Sequence, residues 1–476
     1  MSRKQRRVAL LVAGCFFMEF LDGTIVVTSA PQIGADLGVS SSSVSLVITA
    51  YLVTVAALIP GSGWVAARFG SRRVFLAAIV LFTLASLGCA LSTSLTQLVA
   101  MRVLQGVGAA MMVPVGRMEV LADVPKEELM KVISFLVWPA LLAPVVAPLA
   151  GGLITTYASW HWIFLINLPL GALAFVLAWR LIEPRPVPAS PPLDRIGLLL
   201  TFAGLAALTY TAQLLAEPSQ IVWALVAAIG AAAVVLLLAA VRHLLRAAIP
   251  LVNLRTLKIA TFGASIGGLS VFWLAAGAMP FLLPLLFENV FGWSPVKAGA
   301  VVVVLFLGNI GIKPATTYLY SRFGFRAMLI FTAAGLATTI AACALLTADT
   351  PLVLIGLVVG LSGVFRSIGL TGYNTMAYSD VPEEQMRDAN TLSVTTQQLS
   401  MGLGVAFAAV ALRAGEPLGE LLPGREEPAA AYSAAFLIVA VAALIACAGA
   451  LRLHPAAGNV LRVGRGRRRA QQEGAG

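Results

Sequence analysis

Five ionisable side chains lie deep inside long apolar runs: Glu19, Asp22, Arg102, Lys313 and Arg366. A charge in hydrocarbon is costly, so such residues face a bundle interior or a wet cavity and mark function. Asp22 stands nine residues before Pro31, and Arg102 eight residues after Ser94. On helices these spacings are depths of about 13 Å and about 12 Å below the same side of the apolar layer. An acid and a base at matched depth can couple protons, tie the bundle together or simply pack as polar groups. Burial disfavours the ionised carboxylate while a guanidinium favours it, so the balance can form a proton site that substrate or a helix shift tips. Alternatively the pair is a static tie that orders the bundle. Glu19 is three residues before Asp22, on the same helical face, where two ionised acids repel.

Such chemistry needs helices that cross a membrane, and the composition supplies them. Of 476 residues, 59% are hydrophobic and 11% charged, against about 25% charged in soluble domains. The net charge of +11 does not indicate nucleic acid, because the basic residues fall in short segments between apolar runs. We read fourteen spans, roughly 8–30, 44–65, 74–92, 95–116, 132–157, 162–181, 194–215, 221–241, 260–287, 295–318, 327–347, 351–373, 392–412 and 431–451. With the N-terminus inside, 26 of the 32 Lys and Arg fall in inside segments and 3 in outside segments. That is the positive-inside pattern, and it puts both termini in the cytoplasm. The N-terminal apolar stretch carries Glu19 and Asp22 and is too long for a signal peptide, so we read it as a retained first span.

The turn Arg-Phe-Gly-x-Arg occurs twice, at Arg68–Arg72 and Arg322–Arg326, 254 residues apart. Each copy follows an even-numbered span and faces the cytoplasm. The repeat implies a duplication. Residues 1–183 form a first six-helix half, 184–255 a linker with two inserted helices, 256–455 a second half, and 456–476 a basic cytoplasmic tail. The Pro-rich stretch from Glu183 to Pro192 marks the junction. Two six-helix halves with a pathway between them is a transporter design.

Five stretches carry a family resemblance: LDGTIVVTSAP (Leu21 to Pro31), GWVAARFGSRR (Gly63 to Arg73), RVLQGVGAAMMVPVGR (Arg102 to Arg117), APVVAPLAGG (Ala143 to Gly152) and SWHWIFLINLPLG (Ser159 to Gly171). In that order they resemble the major facilitator superfamily, in its fourteen-span drug:proton antiporter branch of the EmrB/QacA type, with a likeness to MdtD-type multidrug transporters. The resemblance implies an all-α fold of two pseudo-symmetric halves plus two inserted helices. It also implies gating motifs: Arg68, Gly70, Arg72 and Arg73; Arg322, Gly324 and Arg326; and Pro144, Pro148, Gly151 and Gly152. Two departures stand out. The family's turn usually has Asp before its first Arg; here Ala67 and Ser321 stand there, and Glu119 and Asp123 are candidate substitutes for a charge latch. Ala147 replaces the Gly that usually precedes Pro148.

The second half has no acid matching Asp22, since the offset of 254 lands on Ala276. It offers Lys313, about 13 Å from the Arg322 turn and able to snorkel, and Arg366, too deep to snorkel without a cavity. Arg366 should face the pathway or pair with a first-half acid. With Gln105 they make up the expected substrate pathway, while Asp22, Glu19 and Arg102 are the expected proton-coupling set. Pro139, Pro144 and Pro148 should bend their span. GASIG (Gly263 to Gly267) and GLVVG (Gly356 to Gly360) read as helix-packing small residues, and the four cysteines as apolar packing. Trp160 and Trp162 suit the outer interface belt.

The expectation is a proton-coupled exporter of drugs or small metabolites in the bacterial cytoplasmic membrane, working by alternating access. Its partners are a small-molecule substrate, protons and membrane lipids. It is read as a monomer without nucleic acid, cofactor or metal, and a periplasmic adaptor is left open. The two cations of the second half favour anionic metabolites or metal chelates as an alternative substrate class. A non-transporting sensor or scaffold is the competing class. No nucleophile–base pair suggests an enzyme, and no Gly-Lys dipeptide allows a phosphate-binding loop.

Overall fold

The computed structural model describes residues 3–39, 41–121, 157–184, 192–216, 222–419, 429–451 and 453, with scattered positions between 124 and 154. The described residues are built from helices. In lipid the backbone has no water to bond, so each apolar run satisfies its own N–H and C=O groups by coiling. The first half contains α1 (Arg3–Asp36), α2 (Ser41–Phe69), α3 (Ser71–Ala90), α4 (Leu95–Leu121), the short α5 (His161–Leu165) and α6 (Asn167–Leu181). The inserted pair is α7 (Arg195–Ala216) and α8 (Trp223–Arg246). The remainder is α9 (Ala260–Asn289), α10 (Pro295–Gly311), α11 (Lys313–Phe323), α12 (Phe325–Cys343), α13 (Leu352–Met376), α14 (Met386–Gly419) and α15 (Ala429–Leu451).

Twelve described helical segments are long and apolar enough to span a bilayer, and α10 with α11 makes a thirteenth, bent by 51°. The expected span over 132–157 falls largely outside the described residues. The predicted tenth span was continuous; it breaks instead at Ile312, two residues before Pro314. Pro314 has no N–H to give the Ile310 carbonyl four residues earlier and its ring crowds that carbonyl, which accounts for a break at this point.

Small residues let the helices close. A Cβ on Gly108 of α4 would come within 2.8 Å of the Phe82 backbone nitrogen of α3. In α13, Gly360 and Gly363 press against the backbones of Gly308 and Leu305 in α10. Lipid offers no hydrophobic drive between helices, so such close packing replaces it. Of GLVVG, Gly360 packs in this way while Gly356 faces open space; of GASIG, Gly263 abuts the Leu257 carbonyl and Gly267 faces open space. Four free cysteines, three of them buried, serve as packing. Trp160 departs from expectation: it is buried, and its indole N–H donates to Asp36 at 2.9 Å, whereas Trp162 is exposed. A polar partner on α1 draws the indole inward.

Both Arg-Phe-Gly-x-Arg turns lie at one end of the bundle. Gly70 and Gly324 adopt φ of 86° and 83°, a region closed to most L-residues, which explains the glycine in each copy. At this turn end, first-half residues such as Phe75 and Leu121 share one core with Ile266 of α9 and with Tyr378 and Val381 beyond α13. At the opposite end a separate core around Ile25, Val47 and Trp160 contains first-half residues among those described. The inserted α7 packs against both α2 and α14, and Arg413 of α14 donates to the Leu215 carbonyl of α7 at 2.8 Å.

Candidate functional site

Five helices bring polar groups to one buried point in the first half. Asp22 comes from α1, Ser86 from α3, Arg102 and Gln105 from α4, and Asn167 from the first position of α6; Tyr51 of α2 adds its ring. Arg102 is completely buried, and its Nη1 is ion-paired to Asp22 Oδ2. The same Nη1 donates to Gln105 Oε1 at 2.7 Å, and Nε donates to the Val47 carbonyl at 3.4 Å. The other carboxylate oxygen, Oδ1, accepts from Gln105 Nε2 at 2.9 Å and from Asn167 Nδ2 at 2.7 Å. Both amides also reach Ser86 Oγ, at 2.6 and 3.2 Å. The guanidinium carbon sits 4.2 Å from the centre of the Tyr51 ring, a cation–π contact.

The depth arithmetic on Asp22 and Arg102 thus corresponds to direct contact, and Gln105 joins them. Glu19, one turn away and buried, has an Oε2 without a partner among the described residues. The Tyr51 hydroxyl, Arg102 Nη2 and Asn167 Oδ1 are also unpartnered among the described residues. Buried polar atoms are normally satisfied. A cluster with several open valences beside a buried ion pair can change its bonding pattern without unfolding. Asn167 and Ser86 were missed in the sequence. An amide inside an apolar run was the available signal for Asn167.

In the second half, Lys313 does not snorkel: Nζ donates to Thr371 Oγ1 at 2.7 Å. Arg366 is buried between Trp273 and Phe306, its guanidinium carbon 5.4 and 5.5 Å from the ring centres. Its Nε and Nη1, both polar atoms of the Asn309 amide and the Trp273 indole N–H have no partner among the described residues. Pairing of Arg366 with a first-half acid is not found among the described residues.

The two turns repeat in detail. Arg72 donates to the Trp179 carbonyl at 2.8 Å, and Arg326 to the Leu451 carbonyl at 2.9 Å. Each arginine therefore holds the C-terminal end of the last helix of its own half, where a cation meets the negative helix pole. Glu119 accepts a hydrogen bond from the Ser71 hydroxyl, so an acid does reach the first turn. Arg68, Arg73 and Arg322 are the remaining basic members, at or beside this end. Gly151 is described and buried; Pro139, Pro144, Pro148, Gly152, Asp123 and the basic tail lie outside the described residues. Between halves, Arg117 donates to Asn374 Oδ1 at 3.2 Å and Asn390 to the Pro114 carbonyl at 3.1 Å. Among the described residues no group of three or more His, Cys, Asp or Glu could hold a metal ion.

The Major Facilitator Superfamily model matches residues 12–405. The chain belongs to the major facilitator superfamily. This is a family of transport proteins rather than enzymes, and the chain is an integral membrane protein. It is 38% identical over 408 residues to the proteins named "Putative multidrug resistance protein MdtD" of Salmonella paratyphi A and Salmonella typhimurium, covering 84% of this chain and 85% of each relative. Its fold is similar to that of the human organic anion transporter MFSD10 (TM-score 0.68, 13% identity, 94% of this chain and 100% of that one). It is also similar to a bacterial homologue of the iron transporter ferroportin in an outward-facing state (TM-score 0.63, 15% identity, 94% and 98%). At these identities the solved structures speak for the fold alone.

Proposed function

We propose that the chain is a proton-coupled exporter of drugs or small metabolites in the bacterial cytoplasmic membrane, with both termini inside. The observation that carries this reading is the buried Asp22–Arg102 pair held by Gln105 and Asn167, with open valences around it. Protonation of Asp22 neutralises one partner of the pair. Arg102 then loses its counter-ion and must find compensation elsewhere, which links the proton to the positions of α1 and α4. Breaking a buried pair from one side costs about 3–5 kcal/mol, enough to drive a change between two packings of the bundle. Glu19 stands next in line to relay the proton.

The contacts of Arg117 with Asn374 and of Asn390 with Pro114 support a closed turn end. The first-half composition of the opposite core supports opening at the other side. On this reading the conformation faces outward. Asp22 takes a proton there and substrate leaves; after the halves rock, loss of the proton to the cytoplasm restores substrate binding. The 38% identity to proteins named for multidrug resistance supports drugs as cargo. The test is drug accumulation in cells with and without the chain, using ethidium, organic acids and iron chelates. Lower accumulation of one class, reversed by an uncoupler, is the expected result; no difference across the panel would favour a sensor or scaffold.

A second reading of substrate class has its own observation. Among the described residues, Arg366, with Asn309 and Trp273, presents unpartnered donors with no acid beside them, and Lys313 is bonded to the Thr371 hydroxyl. Such a set favours an anionic group on the substrate. Arg366→Gln should then abolish export of organic acids and leave ethidium export intact.

A further inference from the structure

A groove of 520 Å³ opens sideways between α1 and α6, within the range of about 300–1,000 Å³ typical of ligand pockets. Exposed Leu10, Leu173 and Leu177 form its rims, and buried Cys15 and Met18 back it. Its floor is Gly14, where an added Cβ would meet nothing within 4 Å. Arg7, seven residues earlier and on the same helical face, closes the groove at the turn end. Arg7 is exposed and has no hydrogen-bond or ion-pair partner among the described residues. Arg3, Arg6 and Arg180 are exposed at the same end.

The second half does not repeat this feature. At the offset of 254, Thr261 stands for Arg7 and Gly268 for Gly14, and a Cβ on Gly268 would run into the Tyr373 ring. The open floor is therefore not a requirement of the fold.

We propose that the groove seats one acyl chain of an anionic phospholipid, with the lipid phosphate held at Arg7. Acyl chains are as apolar in the bilayer as in the groove, so burial alone gives no preference. Retention must come from shape and from the headgroup. Each basic side chain near the membrane surface favours anionic lipid by about fivefold, and Arg7 lines this mouth. The occupant would lie between the two helices that carry Asp22 and Asn167, so its presence would bear on how closely those side chains meet.

The test is native mass spectrometry of the full chain, delipidated in mild detergent and then offered phosphatidylglycerol or phosphatidylcholine. The expected result is one phosphatidylglycerol retained per chain and no comparable phosphatidylcholine. Arg7→Gln should lower that retention about fivefold, and Gly14→Leu, which fills the floor, should remove it. Leu173→Trp narrows the groove from α6 and gives the same readout if Gly14→Leu elutes as aggregate. Equal retention of the two lipids, full retention in the groove-filling variants, or displacement of the lipid by ethidium would overturn the proposal. These outcomes do not depend on whether the chain couples transport to protons.

Discussion

Replacing Asp22 by Asn separates a working proton site from a static tie. The introduced amide keeps one oxygen to accept from Gln105 and Asn167, which now lie 2.9 and 2.7 Å from Asp22 Oδ1. Its NH₂ is set against Arg102, donor facing donor, in a place where the guanidinium is completely buried. Among the described residues, the hydrogen-bond acceptors left to it are Gln105 Oε1 at 2.7 Å and the Val47 carbonyl at 3.4 Å, beside the Tyr51 ring. Stranding one member of a buried pair costs about 3–5 kcal/mol, so the variant should unfold at distinctly lower temperature. The double variant Asp22→Asn/Arg102→Gln removes the stranded charge and should recover most of that stability. Neither should couple transport to protons. In everted vesicles carrying an imposed pH gradient, wild type should move substrate and dissipate the gradient, while both variants should do neither. If the stable double variant still couples, the pair is only architectural and Glu19 becomes the candidate carrier.

Other outcomes follow from the same structure. Asn167→Leu takes one donor from Asp22 Oδ1 and should shift the pH at which efflux is half-maximal, with expression near wild type; an unmoved profile would leave Asn167 as packing. Gly108→Ala places a methyl against the Phe82 backbone and should lower stability by about 1–3 kcal/mol, read as a thermal midpoint. Asp194, outside the spans, is partly raised by burial, but N–H donors of Gly197 and Leu251 and the His243 ring at 2.7 Å hold it below its ordinary value. Its stabilising effect is therefore full above the ordinary carboxylate range of about 4 and is lost as pH falls through the lower folded value. Asp194→Ala should destabilise the α7–α8 pair by about 2 kcal/mol at pH 7 and show little further loss on acidification.

Much of the bundle was legible because lipid enforces a simple rule. Runs of apolar residues long enough to span must coil, and their ends are written in basic turns such as Arg68–Arg72. Depth along a helix is arithmetic, which is why Asp22 and Arg102 can be matched from sequence alone. Lateral neighbours are not arithmetic. Asn167 joins Asp22 from a helix 145 residues away, and nothing in local spacing says which helix faces which. The break before Lys313 was written in Pro314 but lost within a long apolar run. Trp160 shows the same limit, since a tryptophan at a span end suits an interface belt or a buried bond to Asp36 equally well until the neighbour is known.

The proposed transport cycle depends on the Asp22 carboxylate exchanging its proton in step with substrate. Proton release on substrate binding tests this most directly, followed with a pH indicator in weakly buffered detergent solution as ethidium or an organic acid is titrated in. Release is expected from wild type at a pH where Asp22 is protonated, and none from the Asp22→Asn/Arg102→Gln variant at substrate concentrations high enough to saturate it. Equal release from both proteins, or binding to wild type with no proton released at any pH, would contradict it.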